Sequence, residues 1–190
     1  KRRKGKRRLP ARVKQPLEQA ATINQSWSMD FMSDSMVGNR KFRTFNVMDD
    51  GSREVLAIEV DTSLSSKRII RVLDQLIVTR GLTGMNRVDN GPEFTSHEFE
   101  AWCKDNNIEL RFIQPGKPMQ NGYIERFNRL YREAVLDAYL FFDLDQVRQL
   151  TNEWMQEYNQ RRPHESLNNR TPEEWKMDQL KNEITLKEAV

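Results

Sequence analysis

Cysteine is almost missing from this chain: Cys103 stands alone among 190 residues. A lone cysteine excludes an internal disulfide framework and any cysteine-rich zinc site. It lies in FEAWCKD, one helical turn after Phe99, and reads as a buried structural thiol. Histidine is scarce too. His97 and His164 are far apart in sequence, so a zinc site built from two histidines and a carboxylate has little support. No apolar run approaches the ~20 residues that a membrane-spanning helix needs. Nor does an apolar segment near the start suggest a secretory signal, and no membrane partner is expected. The mean hydropathy of -0.83 and the 31% of charged residues point to a soluble protein. Because the first residue is lysine, not methionine, a piece of a longer protein is expected.

What is present in quantity is charge, unevenly placed. Of the 31 Lys and Arg, nine fall in residues 1–14, which contain no acid. The remainder therefore holds 22 basic against 28 acidic residues. A mildly acidic body with a basic arm suits non-specific phosphate binding by the arm, or simply a solubilising tail. Pro10 and Pro16 mark residues 1–26 as arm or linker.

Order is expected from Trp27. WSMDFMS alternates as a strand, with Trp27, Met29 and Phe31 on one face and Ser28, Asp30 and Met32 on the other. Phe42–Met48 and Glu54–Val60 read as two more strands, joined by an Asp49-Asp50-Gly51-Ser52 turn. Ser65 or Ser66 begins a helix with Ile69, Val72, Leu73, Leu76 and Ile77 on one face, ended by Gly81. MNRV (85–88) is too short to assign alone, but Asp89-Asn90-Gly91-Pro92 after it is a strong turn signal. Thr95 and Glu98 suggest a capping box for the next helix, and Glu109–Ile113 alternates as a strand. A Pro/Gly loop then precedes the helix QNGYIERFNRLYR (120–132). Its predicted apolar stripe is Tyr123, Phe127, Leu130, Tyr131 and Ala134. Its polar face carries Asn121, Glu125, Asn128, Arg129 and Arg132. Asp143 with Gln146, and Thr171-Pro172-Glu173-Glu174, predict the starts of two further helices. The order β-β-β-α-β-α-β-α, then helices, implies a mixed sheet with helices on its faces.

Three carboxylates stand out. Asp30 interrupts a strand that is otherwise buriable, where an unpaired charge is costly. Asp89 ends a strand in a turn, the position where open α/β sheets place functional groups. Glu125 lies on the polar face of the 120–132 helix, which alone reads equally as solvated surface. Together, three acids would repel unless a cation neutralised them. Hard Mg²⁺ takes oxygen ligands and few protein carboxylates, and a pair of such ions supports in-line displacement at phosphorus. Spacing alone does not bring the three acids together.

WSMDFM (27–32), RVDNGPEF (87–94), IQPGKPMQNGYIERFNR (113–129) and EYNQRRPHESL (157–167) resemble, in that order, the motifs of the DDE transposase and retroviral-integrase-type catalytic core. The likeness is nearest to the second-reading-frame transposases of the large two-frame bacterial insertion-sequence family. Between Asp89 and Glu125 stand 35 residues, the interval for which that superfamily is known. The resemblance implies an RNase H-like α/β fold, a five-stranded mixed sheet flanked by helices. Residues 27–136 would form the core, 137–180 a C-terminal helical extension and 181–190 a frayed tail. It implies Asp30, Asp89 and Glu125 as catalytic metal ligands, for two Mg²⁺ or Mn²⁺ ions. The implied reaction is metal-dependent DNA cleavage and strand transfer at element ends. Implied partners are element terminal repeats, target DNA, further copies of the chain in a synaptic complex, and an upstream helix-turn-helix segment from the first frame. The implied setting is the bacterial cytoplasm and nucleoid.

Neighbouring residues are candidates for DNA contact. Asn128, Arg129 and Arg132 share the Glu125 face. Lys117 precedes the helix, and Gln120 and Asn121 at its start carry amides suited to base edges. Arg161, Arg162 and His164 belong to the closing motif and fit a DNA contact or an interdomain brace equally. Asn90 orients Asp89, touches DNA, or is only a turn residue. Gly51 and Gly122 depart from the pattern, standing where relatives often carry an aromatic and Ala. Two other readings remain: a related nuclease or retroelement integrase, and a non-catalytic DNA-binding fragment.

Overall fold

The sheet grows outward from Trp27–Ser35 (β1). Short links fold Lys41–Asp49 (β2) back against β1 and Val55–Asp61 (β3) back against β2, both antiparallel. On the other edge of β1, Met85–Val88 (β4) runs parallel, and Glu109–Phe112 (β5) runs parallel to β4. The order β3-β2-β1-β4-β5 is the expected five-stranded mixed sheet. The structure, a computed structural model, describes residues 20–114 and 121–188. Lys117, Gln120 and the basic arm over residues 1–14 therefore lie outside the described residues.

Strand alternation divides the interior into two cores. Trp27, Met29, Phe45 and Val47 face Ser66–Arg80 (α1) and His97–Asp105 (α2), meeting Leu73, Phe94 and Phe99. Phe42, Met48 and Val60 face the opposite way. They meet Ile124, Phe127 and Tyr131 of Gly122–Tyr131 (α3) and Val147 and Tyr158 of Leu144–Arg161 (α4). One π turn, Arg132–Leu136, prolongs α3, and Pro172–Glu188 (α5) closes the chain. Cys103 is buried and its thiol is pushed up to about 11, chiefly by burial, as an inert structural thiol should be. No helix among the described residues is long and apolar enough to cross a membrane.

Side-chain capping fixes the starts of α4 and α5 where the sequence places them. Asp143 accepts a hydrogen bond from the Gln146 amide at 2.9 Å. Thr171 and Glu174 exchange bonds in a capping box. At α2 the cap is Ser96, whose hydroxyl accepts from the Phe99 amide, and not Thr95. The buried seam of α3 is also displaced: Ile124, Phe127, Asn128 and Tyr131 face inward, while Ala134 is exposed. Helix α5 continues through Lys181, which the sequence assigns to the tail.

The Asp49–Ser52 turn is far more than a surface hairpin. Asp49 accepts from the amides of Gly51 and Ser52 and, at 2.7 Å, from that of Asn24. Asn24 in turn donates to the Arg80 carbonyl, so the end of the arm docks on the core. A Cβ on Gly51 would lie 2.1 Å from the Thr22 carbonyl oxygen. This docked backbone fills the place where a side chain would stand, which accounts for glycine at a position where an aromatic was expected. Gly51→Ala should therefore lower stability by about 1–3 kcal/mol, the usual range for overpacking, as urea unfolding would measure. An unchanged midpoint would mean that residues 20–24 do not pack here. Gly122, by contrast, has open space around it.

Candidate active site

Strand register relates the first two acids. Trp27 lies opposite Asn86 and Ser28 opposite Arg87 in the parallel β1–β4 pair. Continued past the end of β4, the same register would bring Asp89 level with Asp30. Asp89 is the first residue past β4, at the carboxyl edge of the parallel strands, where open sheets hold ligands. Asp30 points to the sheet face that α3 covers, because alternation sends Trp27 and Met29 the other way. Helix α3 delivers Glu125, exposed, from its first turn.

The electrostatics record this convergence. The Asp30 carboxyl is raised to about 6, first by burial and then by the negative charges of Asp89 and Glu125. The Phe31 amide, donating at 2.8 Å, and the Asn128 amide, donating at 2.7 Å, oppose the rise. Asp89 has its own support, accepting from the Gly91 amide at 2.9 Å. A Cβ on Gly91 would sit 2.9 Å from that same oxygen, so a larger residue there would make the Asp89 carboxylate shift. Asn90 donates to the Ile113 carbonyl, tying the turn to the end of β5.

Among the described residues no three His, Cys, Asp or Glu side chains are gathered closely enough to form a finished metal cage. The donors nonetheless fit a hard divalent cation: all are carboxylate oxygens, they come from three elements facing one another, and one is partly desolvated and raised by the other two.

The raised Asp30 has a testable sign. Its ionised form is disfavoured in the folded state, so Asp30 stabilises the fold below its ordinary value of 3.8. That contribution is lost as pH rises through about 6. Without divalent ions, Asp30→Asn should raise stability at pH 7.5 by up to about 3 kcal/mol and change it little at pH 4. Thermal melts of both proteins across that range decide it; equal melting points at pH 7.5 would sink the assignment.

The other candidate residues divide. Arg129 is exposed on the Glu125 side. Arg132 donates to the Ser33 carbonyl at 3.0 Å and lies 3.4 Å from Asp34, pinned to the end of β1. Asn121 and Asn128, expected on an exposed polar face, are instead 2% and 8% exposed. The apolar seam of α3 runs beside them and turns both inward. Asn128 uses its amide internally: its Oδ1 accepts from Asn46 at 2.7 Å while its Nδ2 donates to Asp30. Asn46 pairs with Asp30 across β1 and β2. Sequence reasoning missed it, although a lone amide inside FRTFNVM was the available signal. Arg162 and His164 line a cleft on the Tyr123–Arg126–Leu130 side of α3, away from Glu125, and Arg161 lines the adjoining hollow.

Comparison with known proteins agrees with this architecture. The integrase core domain family matches residues 20–118, and a second integrase core domain family matches residues 106–172. An uncharacterized 39.2 kDa protein of insertion element IS476 from Xanthomonas euvesicatoria is 43% identical over 87% of this chain and 47% of its own length. An uncharacterized 31.7 kDa protein of insertion element IS407 from Burkholderia multivorans is 39% identical over 80% of this chain and 55% of its own. The chain thus spans about half the length of these curated relatives. Among solved structures, the HTLV-2 integrase catalytic core domain in complex with magnesium superposes with a TM-score of 0.62 at 22% identity. That match covers 79% of this chain and 94% of the other. The chain therefore belongs to the integrase core domain family, with the RNase H-like fold and the insertion-element relatives that its four motifs resemble.

Proposed function

We propose that this chain is the catalytic domain of an insertion-sequence transposase that nicks the 3′ end of its element and joins that end to target DNA. The observation carrying this reading is that Asp30 feels the charges of both Asp89 and Glu125. In the first step water forms a bond to phosphorus as the bond from that phosphorus to the element's 3′ oxygen breaks, freeing a 3′-OH and leaving the phosphate on the 5′ end of the flanking strand. In the second, that 3′-OH forms a bond to a target phosphorus as the target's own P–O bond breaks. One phosphodiester is exchanged for another, and no covalent bond to protein is needed. Mg²⁺ or Mn²⁺, when bound, supplies the Lewis acidity for both displacements.

The chain's residues supply the rest. Asp30, Asp89 and Glu125 are the oxygen donors. Asn128, backed by Asn46, fixes the rotamer of Asp30 and leaves its outer lone pairs free. Gly91 and Asn90 set Asp89. Arg129, exposed on the Glu125 side, is placed to meet the phosphate backbone, and Arg132 steadies the helix against β1. The proposed partners are the element ends, target DNA, further copies of the chain to bring two ends together, and an upstream helix-turn-helix segment.

Incubation of the full-length protein with labelled element ends and Mg²⁺ tests this reading. Joined products are expected. Cutting without joining would indicate a nuclease, and joining confined to blunt linear cDNA ends a retroelement integrase. Binding without either product would reduce the chain to a DNA-binding module.

A further inference from the structure

A second cleft, of roughly 420 Å³, lies between α3, the end of α4 and the loop over Pro163–Ser166. Its floor is Arg53, in the turn between β2 and β3. Arg53 is only 7% exposed and holds a left-handed backbone, φ 59°, which costs a side-chain-bearing residue about 1 kcal/mol or more. Its guanidinium stacks 3.5 Å from the Tyr123 ring centre, and its Nε donates to the Ser166 hydroxyl at 3.4 Å. Its Nη1 is buried and meets no acceptor among the described residues.

Two more guanidiniums, Arg126 and Arg162, line the same cleft. None of the three arginines makes an ion pair among the described residues. The charge of Asp50 reaches Arg53, but Asp50 already holds Arg87, Ser26 and Ser28. Glu165 lines the cleft without pairing to any of them. The His164 Nε2 is also buried there with no hydrogen-bond partner among the described residues. His164 is lowered to about 4, first by burial and then by Arg162, Arg53 and Arg126, so all three cations bear on one point.

A buried guanidinium that makes no ion pair of its own is expensive, and two further cations beside it make the cleft more demanding still. Bent into place by an unfavourable backbone and clamped on an aromatic ring, Arg53 presents a fixed fork of donors. A tetrahedral oxyanion, with acceptors in several directions, fits several guanidiniums at once. Arg126 follows Glu125 directly, so the cleft lies about 100° round the same helix from the acids. A strand crossing α3 to offer one phosphodiester to the acids carries a neighbouring phosphate past Arg126.

We propose that Arg53, Arg126 and Arg162 form a second anion site, separate from the carboxylates, which seats a backbone phosphate of the bound DNA. The identity of the occupant rests on the transposase reading. The anion site itself does not.

The two histidines allow a direct test by NMR, because exposed His97 serves as an internal control. Titration of the full chain with inorganic phosphate should shift the His164 ring signals and raise its pKa, leaving His97 unmoved. The double substitution Arg126→Gln/Arg162→Gln, at exposed positions, should remove that response. It should also weaken duplex-DNA binding by roughly tenfold at 0.1 M salt and flatten the log–log salt slope by about one. Either of two results overturns the proposal: phosphate leaves His164 unmoved, or the double variant binds duplex with the wild-type slope. A His164 response to acetate but not to phosphate would assign the cleft to a protein carboxylate instead, and overturn it equally. Strand joining by wild type and by Glu125→Gln judges the transposase reading separately. Loss of that reading would leave the phosphate titration standing.

Discussion

Glu125→Gln is expected to lower strand joining by roughly a thousandfold or more, since an acid serving as a metal ligand underlies several kcal/mol of transition-state stabilisation. The substitution is clean because Glu125 has no structural work among the described residues. It is exposed on α3 and takes part in no hydrogen bond or ion pair there; its only recorded influence is repulsion of Asp30. Glutamine keeps the size and removes the charge. The folded protein should melt at or slightly above the wild-type temperature, and the loss should appear in nicking and joining alike. Gel assays on labelled ends, with melting curves alongside, separate the two effects. Joining at the wild-type rate would end the assignment of Glu125 to the acid site.

The second large effect is on stability. Asp50 is wholly buried, and Arg87 beside it nearly so. Asp50 accepts from Arg87 at 2.9 Å, from Ser28 at 2.6 Å and from Ser26 at 3.0 Å. Burial pushes its carboxyl up, and Ser28, Arg87 and Ser26 oppose that rise. Asp50→Ala strands the Arg87 charge in the interior, deprives the Ser28 hydroxyl of its Asp50 acceptor and leaves Ser26 only the Met85 sulfur at 3.9 Å. A loss of about 3–5 kcal/mol is expected from urea unfolding. Replacing Arg87 by Met in the same protein should restore part of it, because no charge is then left unpaired. A loss below about 1 kcal/mol for Asp50→Ala would show the pair to be hydrated. The consequence reaches the acids: Ser28 stands two residues before Asp30, and Arg87 two before Asp89. Asp50 thus ties together the two strands on which the site depends.

Much of this was legible along the chain because it rests on local rules. The alternation of Trp27 to Met32 set which side Asp30 takes, and each helix cap needs only a few adjacent residues. Asp143 and Thr171 were read correctly for that reason. Thr95 was not, because Ser96 one residue later is an equally good acceptor and only the packing of Phe99 chooses between them. Ala134 was misplaced on the apolar stripe because α3 is rotated to bury Ile124 and Asn128, and the helix changes to a π turn at Arg132. Arg53 and Arg126 gave no local sign of their roles, and Asn46 only the faint one of a lone amide within a strand. An amide in a strand or an arginine in a turn is ordinary until a partner arrives from another element.

The sequence by itself determined the order of elements, the five-stranded sheet they imply, and the three acids with their 35-residue interval, because these follow from periodicity, turn chemistry and motif spacing. Only the tertiary structure decided that Asp89, just past the end of β4, and Glu125 on α3 both bear on the Asp30 carboxyl. It alone showed that Asn128, itself held by Asn46, braces Asp30, that the Asp49-Asp50 turn is a buried tie, and that Arg53 lies buried with no ion pair among the described residues. Each of those facts depends on through-space distance between residues far apart in the chain. Distance of that kind is set by how the sheet and helices pack, and no local pattern encodes it.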